Sequence, residues 1–295
     1  MHLLYLVFGQ GLGNHVQAHF SILTFLSQRP ALKSINILTD NPEFYASLND
    51  HVKIIAIDTN TLKEWKGAYD FFWRTKIKAI EMLCNLYKNE PVLYLDSDTF
   101  LYGDLQLLNA AANAGQAFMH ENEGKLSTDK SKTAKKMWKQ IGHVSYEGVV
   151  ITEEHHMWNA GVVLTPNKKD NQECLRAINI CDAMCRQGVT RRLIEQYALS
   201  VALQETYSLQ PAAGVIGHYW SNKENWNKAI EHFLLTASFK ACTTQQSVQA
   251  LEHFNFSKLP IKLRVKNTNT RLKALVEKLY PPKDLTFIEN NPQPE

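Results

Sequence analysis

Residues 91–105, Pro-Val-Leu-Tyr-Leu-Asp-Ser-Asp-Thr-Phe-Leu-Tyr-Gly-Asp-Leu, constrain the fold more than any other stretch of the chain. Residues 92–95 form a continuous apolar run with the length of a strand buried on both faces, as parallel strands are. The run stops at Asp96-Ser97-Asp98. Two carboxylates at the mouth of a buried strand need a positive partner, because an unpaired buried charge is strongly unfavourable. In open α/β sheets ligands gather beyond the carboxyl ends of the strands, so the pair reads as a divalent-metal site.

Other segments repeat the pattern. Residues 3–8 form a first strand, followed by Gly9-Gln10-Gly11-Leu12-Gly13-Asn14 and a helix over 15–27. Asn14 stands where a dinucleotide-binding loop has its third glycine, and no carboxylate ends a second strand about 20 residues further on. A tight turn that lets a ligand approach the backbone is therefore expected, and not nicotinamide binding. Residues 35–38 and 52–57 are further strands, ending at Asp40 and Asp58, each of which suits a helix cap or a turn equally well. Strands alternating with helical stretches predict an α/β fold with a doubly wound sheet.

Composition narrows the class. The 295 residues carry a formal net charge of +3, too balanced to suggest nucleic-acid binding. Cys174, Cys181 and Cys185 share one face of a predicted helix, which reads as buried apolar residues in a reduced, cytoplasmic setting. The apolar N-terminus lacks a basic start and reaches glycine too soon for a signal peptide, and no run has the length of a membrane span. Residues 124–142 are rich in lysine, as an exposed helix or loop is, with a mobile lid as the sharper alternative.

The tail carries Lys258, Lys262, Arg264, Lys266, Arg271, Lys273, Lys278 and Lys283 around an apolar stripe of Leu272, Leu275, Val276 and Leu279. It reads as a helical extension over 241–295, packed on a domain of residues 1–240 or touching anionic lipid at the inner face of a membrane.

Further polar groups keep company with the aspartates. Arg74 and Lys76 begin a helix whose Trp73, Ile77, Ile80, Cys84 and Tyr87 recur at packing intervals. Cations oppose the helix dipole there, so an anion is expected beside them. Asn159-Ala160-Gly161 leads into a buried strand, Glu195-Gln196 lies on a later helix, and His218 ends a short apolar segment five residues before Lys223.

In this order, across roughly residues 3–226, the series resembles the A-type-fold (GT-A) glycosyltransferases, most nearly the branch of the glycogenin and lipopolysaccharide galactosyltransferase enzymes. The motifs that carry the likeness are Arg74-Thr75-Lys76, Leu93-Tyr94-Leu95-Asp96-Ser97-Asp98, Asn159-Ala160-Gly161-Val162, Glu195-Gln196 and His218. Glu195 stands where the family has aspartate, and Lys223 follows His218 by one residue fewer than the family's lysine does.

The resemblance implies a Rossmann-like, mixed, mostly parallel sheet with flanking helices. It also implies metal-dependent transfer of a sugar from a nucleotide diphosphate-sugar, with UDP-sugar favoured, to a saccharide or lipid-linked acceptor in cell-surface polysaccharide synthesis. Asp96, Asp98 and His218 are then the ligands of Mn²⁺, or of Mg²⁺. Phe8, Gly9 and Asp40 line the base pocket, while Arg74, Lys76, Asp96 and Lys223 serve the rest of the donor. Asn159, Glu195 and Gln196 face the reacting sugar. With retention the departing phosphate takes the acceptor proton, and with inversion Glu195 is the general base. A sugar-nucleotide pyrophosphorylase and a non-catalytic carbohydrate-binding protein of the same fold are the alternatives. The glycine loop contains no Arg or Lys, which weighs against the first.

Overall fold

The apolar runs pair into one central sheet, seen in a computed structural model that describes residues 1–263 with Thr268, Leu272, Leu275, Val276, Lys278, Leu279 and Tyr280. The chain opens with β1 (His2–Val7), α1 (Leu12–Leu26), β2 (Ser34–Thr39) and β3 (Lys53–Ala56). Then come α2 (Thr59–Lys66), capped by the Asp58 side chain on Thr61 N–H, and α3 (Arg74–Leu86). The aspartate stretch lies between β4 (Val92–Leu95) and β5 (Thr99–Leu101).

Asp104 caps α4 (Leu105–Asn113), which leads to β6 (Ala117–Met119) and β7 (Asn122–Gly124). The lysine-rich stretch forms α5 (Lys132–Ile141), capped by Ser131, with Ala134, Met137 and Ile141 buried and its lysines outward. Two short hairpin strands, β8 (Ser145–Tyr146) and β9 (Val149–Val150), precede β10 (Met157–Trp158) and β11 (Val162–Thr165). The remaining elements are α6 (Gln172–Arg186), α7 (Ile194–Thr206), β12 (Leu209–Pro211), β13 (Ile216–His218), α8 (Lys223–Phe239) and α9 (Thr244–Ala250).

The seven-stranded sheet has the order β12-β6-β11-β4-β1-β2-β3. Every pairing is parallel except the two made by β11, which runs against β4 and β6. This is the mixed, mostly parallel α/β class read from the sequence. Side chains alternate between the faces: Leu4 and Tyr94 join a cluster with α3, α6 and α7, while Leu3, Tyr5, Leu93 and Leu95 join one with α1 and α8. Both faces of β4 are thus covered, which is why its sequence is apolar throughout.

Beyond the carboxyl edge, β5 and β13 form a two-stranded antiparallel ribbon that pairs Thr99 with His218. Aromatic packing fixes this ribbon from behind. Trp226 is fully buried, stacks on Phe100 at 4.6 Å and Tyr219 at 4.8 Å, and donates from Nε1 to Pro260 O at 3.1 Å. Gly217 has to be glycine, since a Cβ there would stand 2.3 Å from the Phe100 ring.

Two sequence expectations change. Trp73 does not join the buried stripe of α3; it precedes the helix and is half exposed, because the packing face begins at Ile77. The compact unit closes at Ile261, past the boundary expected at 240. Val248, Phe254, Phe256, Leu259 and Ile261 pack against its core, so α9 and the turns after it belong to the first domain. In the unit that follows, Leu272, Leu275, Val276 and Leu279 are exposed and Tyr280 N–H donates to Val276 O. Arg264, Lys266, Arg271, Lys273 and Lys283 lie outside the described residues. No helix among the described residues is long and apolar enough to cross a membrane.

Candidate metal centre

Three potential ligands meet where β4 and β13 end and β5 begins. Oxygen and nitrogen atoms of Asp96, Asp98 and His218 all lie within 4.8 Å of one another. The backbone brings them there directly. Asp96 N–H donates to Gly161 O at 2.8 Å, one step beyond the β4 ladder, and Tyr219 N–H donates to Asp98 O at 3.1 Å. Gly161 admits the histidine: a Cβ there would stand 2.1 Å from His218 Cε1.

Asp98 is nearly fully buried, with Oδ1 at 3.3 Å from His218 Nε2 and Oδ2 at 3.0 Å from Lys223 Nζ. The lysine contact is an ion pair off the hydrogen-bond direction, for Oδ2 has no hydrogen-bond partner. Burial opposes ionisation of Asp98, yet His218 and Lys223 outweigh it and hold the carboxyl well below its ordinary range. Lys223 reaches the aspartate because it opens α8, which starts directly behind the ribbon. Despite its short spacing from His218, Lys223 thus reaches Asp98.

The donor set fits a divalent cation. His218 Nδ1 meets Asn159 Oδ1 at 3.0 Å, and the same oxygen accepts Gly161 N–H at 3.1 Å. Nδ1 therefore donates, and Nε2 faces Asp98 Oδ1 with a proton when the ring is charged, the state that lowers the Asp98 carboxyl, and with a lone pair when the ring is neutral. Two lone pairs 3.3 Å apart repel unless a proton or a metal ion joins them. Carboxylate oxygens with one imidazole suit Mn²⁺ well, with Mg²⁺ the alternative.

A buried ionic cluster supports Asp96. Lys76 Nζ lies 3.2 Å from Asp96 Oδ1 and 3.1 Å from Glu195 Oε1, and donates to Ala160 O at 3.2 Å. Tyr94 OH donates to Asp96 Oδ1 at 2.7 Å. Burial disfavours charge on Lys76, but Asp96 and Glu195 more than offset it and hold the ammonium above its ordinary pKa. Burial pushes the Glu195 carboxyl up, against the pull of Lys76 and with that of Asp96. The ammonium is the firmly charged member, since it answers two carboxylates at once.

Arg74 does not join the centre. Its Nε and Nη2 bind Asp182 of α6 at 2.7 and 2.9 Å, and Nη1 binds Trp65 O at 2.8 Å. Lys76, expected on the donor, is buried against Asp96 and Glu195. The anions that the first turn of α3 called for are thus the protein's own.

Asp96, Ser97, Asp98, Lys76, Tyr94 and Lys223 line a cleft of ≈ 230 Å³ with Phe8, Asn14, Phe72 and Trp73. Phe72 and Trp73 are half exposed, which makes flat apolar surface available beside the carboxylates. Gly9 and Asp40 are not among the residues lining it. Asp40 accepts Gly9 N–H with both oxygens, at 2.9 and 3.2 Å, and so fixes the turn behind Phe8. Gly9 is glycine because its φ is +83°, not because anything crowds it: no atom lies within 4 Å of a Cβ built there.

Asn159 and Gln196 meet through a residue the sequence did not single out. Glu123 accepts from Asn159 Nδ2 at 3.0 Å and from Gln196 Nε2 at 2.9 Å. Phe72 and Glu123 carry no sequence signal of their own, since Phe72 lies in a turn and Glu123 in a three-residue strand too short for periodicity to register, and Asn14 stood out only as a departure from a dinucleotide-binding loop.

No family model matches the sequence, and no curated protein matches it. Solved structures with a similar course include galactosyltransferase LgtC with donor and acceptor sugar analogues, at 12% identity over 71% of this chain and 73% of that one, TM-score 0.47. The WbbM bifunctional glycosyltransferase matches at 11% identity over 72% of this chain and 38% of its own, TM-score 0.44. A putative glucose-1-phosphate thymidylyltransferase from Bacillus anthracis, in complex with a sucrose, matches at 10% identity over 78% and 95%, TM-score 0.40. Sugar transferases and a nucleotidyltransferase both occur at these low scores, so the chemistry has to come from the residues.

Proposed function

We propose that the chain is a metal-dependent glycosyltransferase of the A-type fold, moving a sugar from a nucleotide diphosphate-sugar, with UDP-sugar favoured, to a saccharide or lipid-linked acceptor. One observation carries the reading. A three-ligand cluster and a half-exposed lysine converge at the carboxyl edge of the sheet, in a cleft flanked by exposed aromatic rings.

Asp96, Asp98 and His218 would hold a divalent ion, which when bound would supply Lewis acidity towards a departing diphosphate. The chain's own groups do the rest. Lys223, nearly half exposed and already facing the centre, adds positive charge where diphosphate charge develops. Phe8, Phe72 and Trp73 offer apolar faces to a base or ribose. Lys76 keeps Asp96 and Glu195 apart in charge and fixed in place.

Glu195, ion-paired and buried, supports a positive reacting centre better than it serves as a mobile base, which favours retention of configuration. Synthesis of cell-surface polysaccharide, with the basic tail touching anionic lipid at the cytoplasmic face, belongs to the same proposal.

The test is incubation with a panel of nucleotide sugars and Mn²⁺. Slow donor hydrolysis that disappears in Asp98→Ala is expected. Metal-independent turnover, or formation of nucleotide sugar from a sugar 1-phosphate and a nucleoside triphosphate, overturns the reading.

A further inference from the structure

Glu123 lies in β7, in a turn held by Gly124 N–H on Asn122 Oδ1 at 2.8 Å, with Gly124 at φ +92°. Its Oε1 takes the Asn159 amide and its Oε2 the Gln196 amide. A carboxylate accepts and does not donate, so both amides have to turn their NH₂ groups towards it. Asn159 then presents Oδ1 on its far side, where Gly161 N–H and His218 Nδ1 are found. An oxygen there compels Nδ1 to carry hydrogen, so that whenever the ring is neutral its lone pair is on Nε2, towards Asp98. Gln196 likewise turns its carbonyl away from Glu123.

We infer that Glu123 is a positioning residue: it sets the orientation of the Asn159 and Gln196 amides and, through Asn159, the tautomer in which His218 offers Nε2 to a divalent cation. The inference rests on the metal-dependent reading above for its consequence, and on hydrogen-bond chemistry alone for the tautomer. Groups that hold the second nitrogen of a metal-binding histidine typically change metal affinity by about 10–100-fold when removed. Glu123 acts one residue further out, and it acts on two amides at once. Because Glu123 is exposed, its replacement is expected to leave the fold intact.

The experiment uses the full chain with Glu123→Gln, and with Glu123→Gln combined with Asn159→Asp. In the single variant the new amide donates at one end, so it opposes the NH₂ of Asn159 or of Gln196. In the double variant donor and acceptor are exchanged across the same bond, and the carboxylate introduced at position 159 again accepts from His218 Nδ1. Two readouts are taken: the ring-nitrogen tautomer of His218 by nuclear magnetic resonance without metal, and Mn²⁺ affinity from the electron paramagnetic resonance of the free ion.

The parent is expected to carry hydrogen on Nδ1. The single variant should have a mixed tautomer and Mn²⁺ binding weakened about tenfold, and the double variant should recover the parent tautomer. An unchanged tautomer in Glu123→Gln overturns the inference, as does a parent with hydrogen on Nε2 alone. If the tautomer follows the expected course but the parent binds no Mn²⁺, the positioning role stands and the metal-dependent reading falls.

Discussion

Gly161 and His218 occupy adjoining space so closely that a Cβ on the glycine would stand 2.1 Å from Cε1 of the ring. The conformation of Gly161 is ordinary, so the glycine is required by the imidazole and not by the backbone. Gly161→Ala is expected to push the ring out of the cluster and to destabilise the fold by about 1–3 kcal/mol, the usual range for forced overpacking. Urea denaturation checks the second effect and Mn²⁺ titration the first. An alanine variant that binds Mn²⁺ as the parent does would show that the ring has room to move.

Lys76 is the sole cation within ion-pair distance of Glu195 among the described residues. Lys76→Met leaves two carboxylates facing each other in a buried place, and such a loss typically costs about 3–5 kcal/mol. Adding Glu195→Gln should restore part of it, because one of the stranded charges is gone. A double-mutant cycle on denaturation free energies measures the coupling, and additive effects would contradict the cluster.

Asp98 makes stability depend on acid. Its carboxyl is held below the ordinary value of 3.8, so its contribution is complete above that value and is lost as pH falls through the native-state range. Below pH 3.8 the parent's denaturation midpoint should therefore fall more steeply than that of Asp98→Asn. Parallel curves would mean that Asp98 is not the group concerned.

Arg74 ties α3 to α6 and the α2 end, with Asp182 about a third exposed. Arg74→Ala is expected to lower stability by about 1–2 kcal/mol, since charged hydrogen bonds are partly screened there. The KM for a nucleotide sugar should stay within a small factor of the parent's. A large rise in KM with unchanged stability would put the guanidinium on the donor after all.

These cases also mark what the sequence could and could not reveal. Asp96, Asp98, Asn159 and His218 stood out because each borders an apolar run, and run ends collect at one sheet edge, whereas Lys223 follows Ser221-Asn222 and stood out only through the family resemblance. The helix-dipole argument rightly demanded anions beside Arg74 and Lys76. It had no means to tell a ligand from Asp182, which lies 108 residues away in sequence. Trp73 fell on the packing interval of α3 but stands outside its first turn, where the interval no longer points inward. Glu123 sits between two turn residues, and only the folded chain brings it to Asn159 and Gln196.

The reversed direction of β11 also orders the letters of the sequence. A strand that shares the common direction reaches the carboxyl edge at its end, so Asp96 is written after Val92-Leu93-Tyr94-Leu95. A strand that runs the other way leaves that edge at its beginning, so Asn159-Ala160-Gly161 is written before Val162-Val163-Leu164. Polar word then apolar word, or apolar then polar, is a compass readable without coordinates: two segments that supply one site but spell it in opposite order must lie antiparallel.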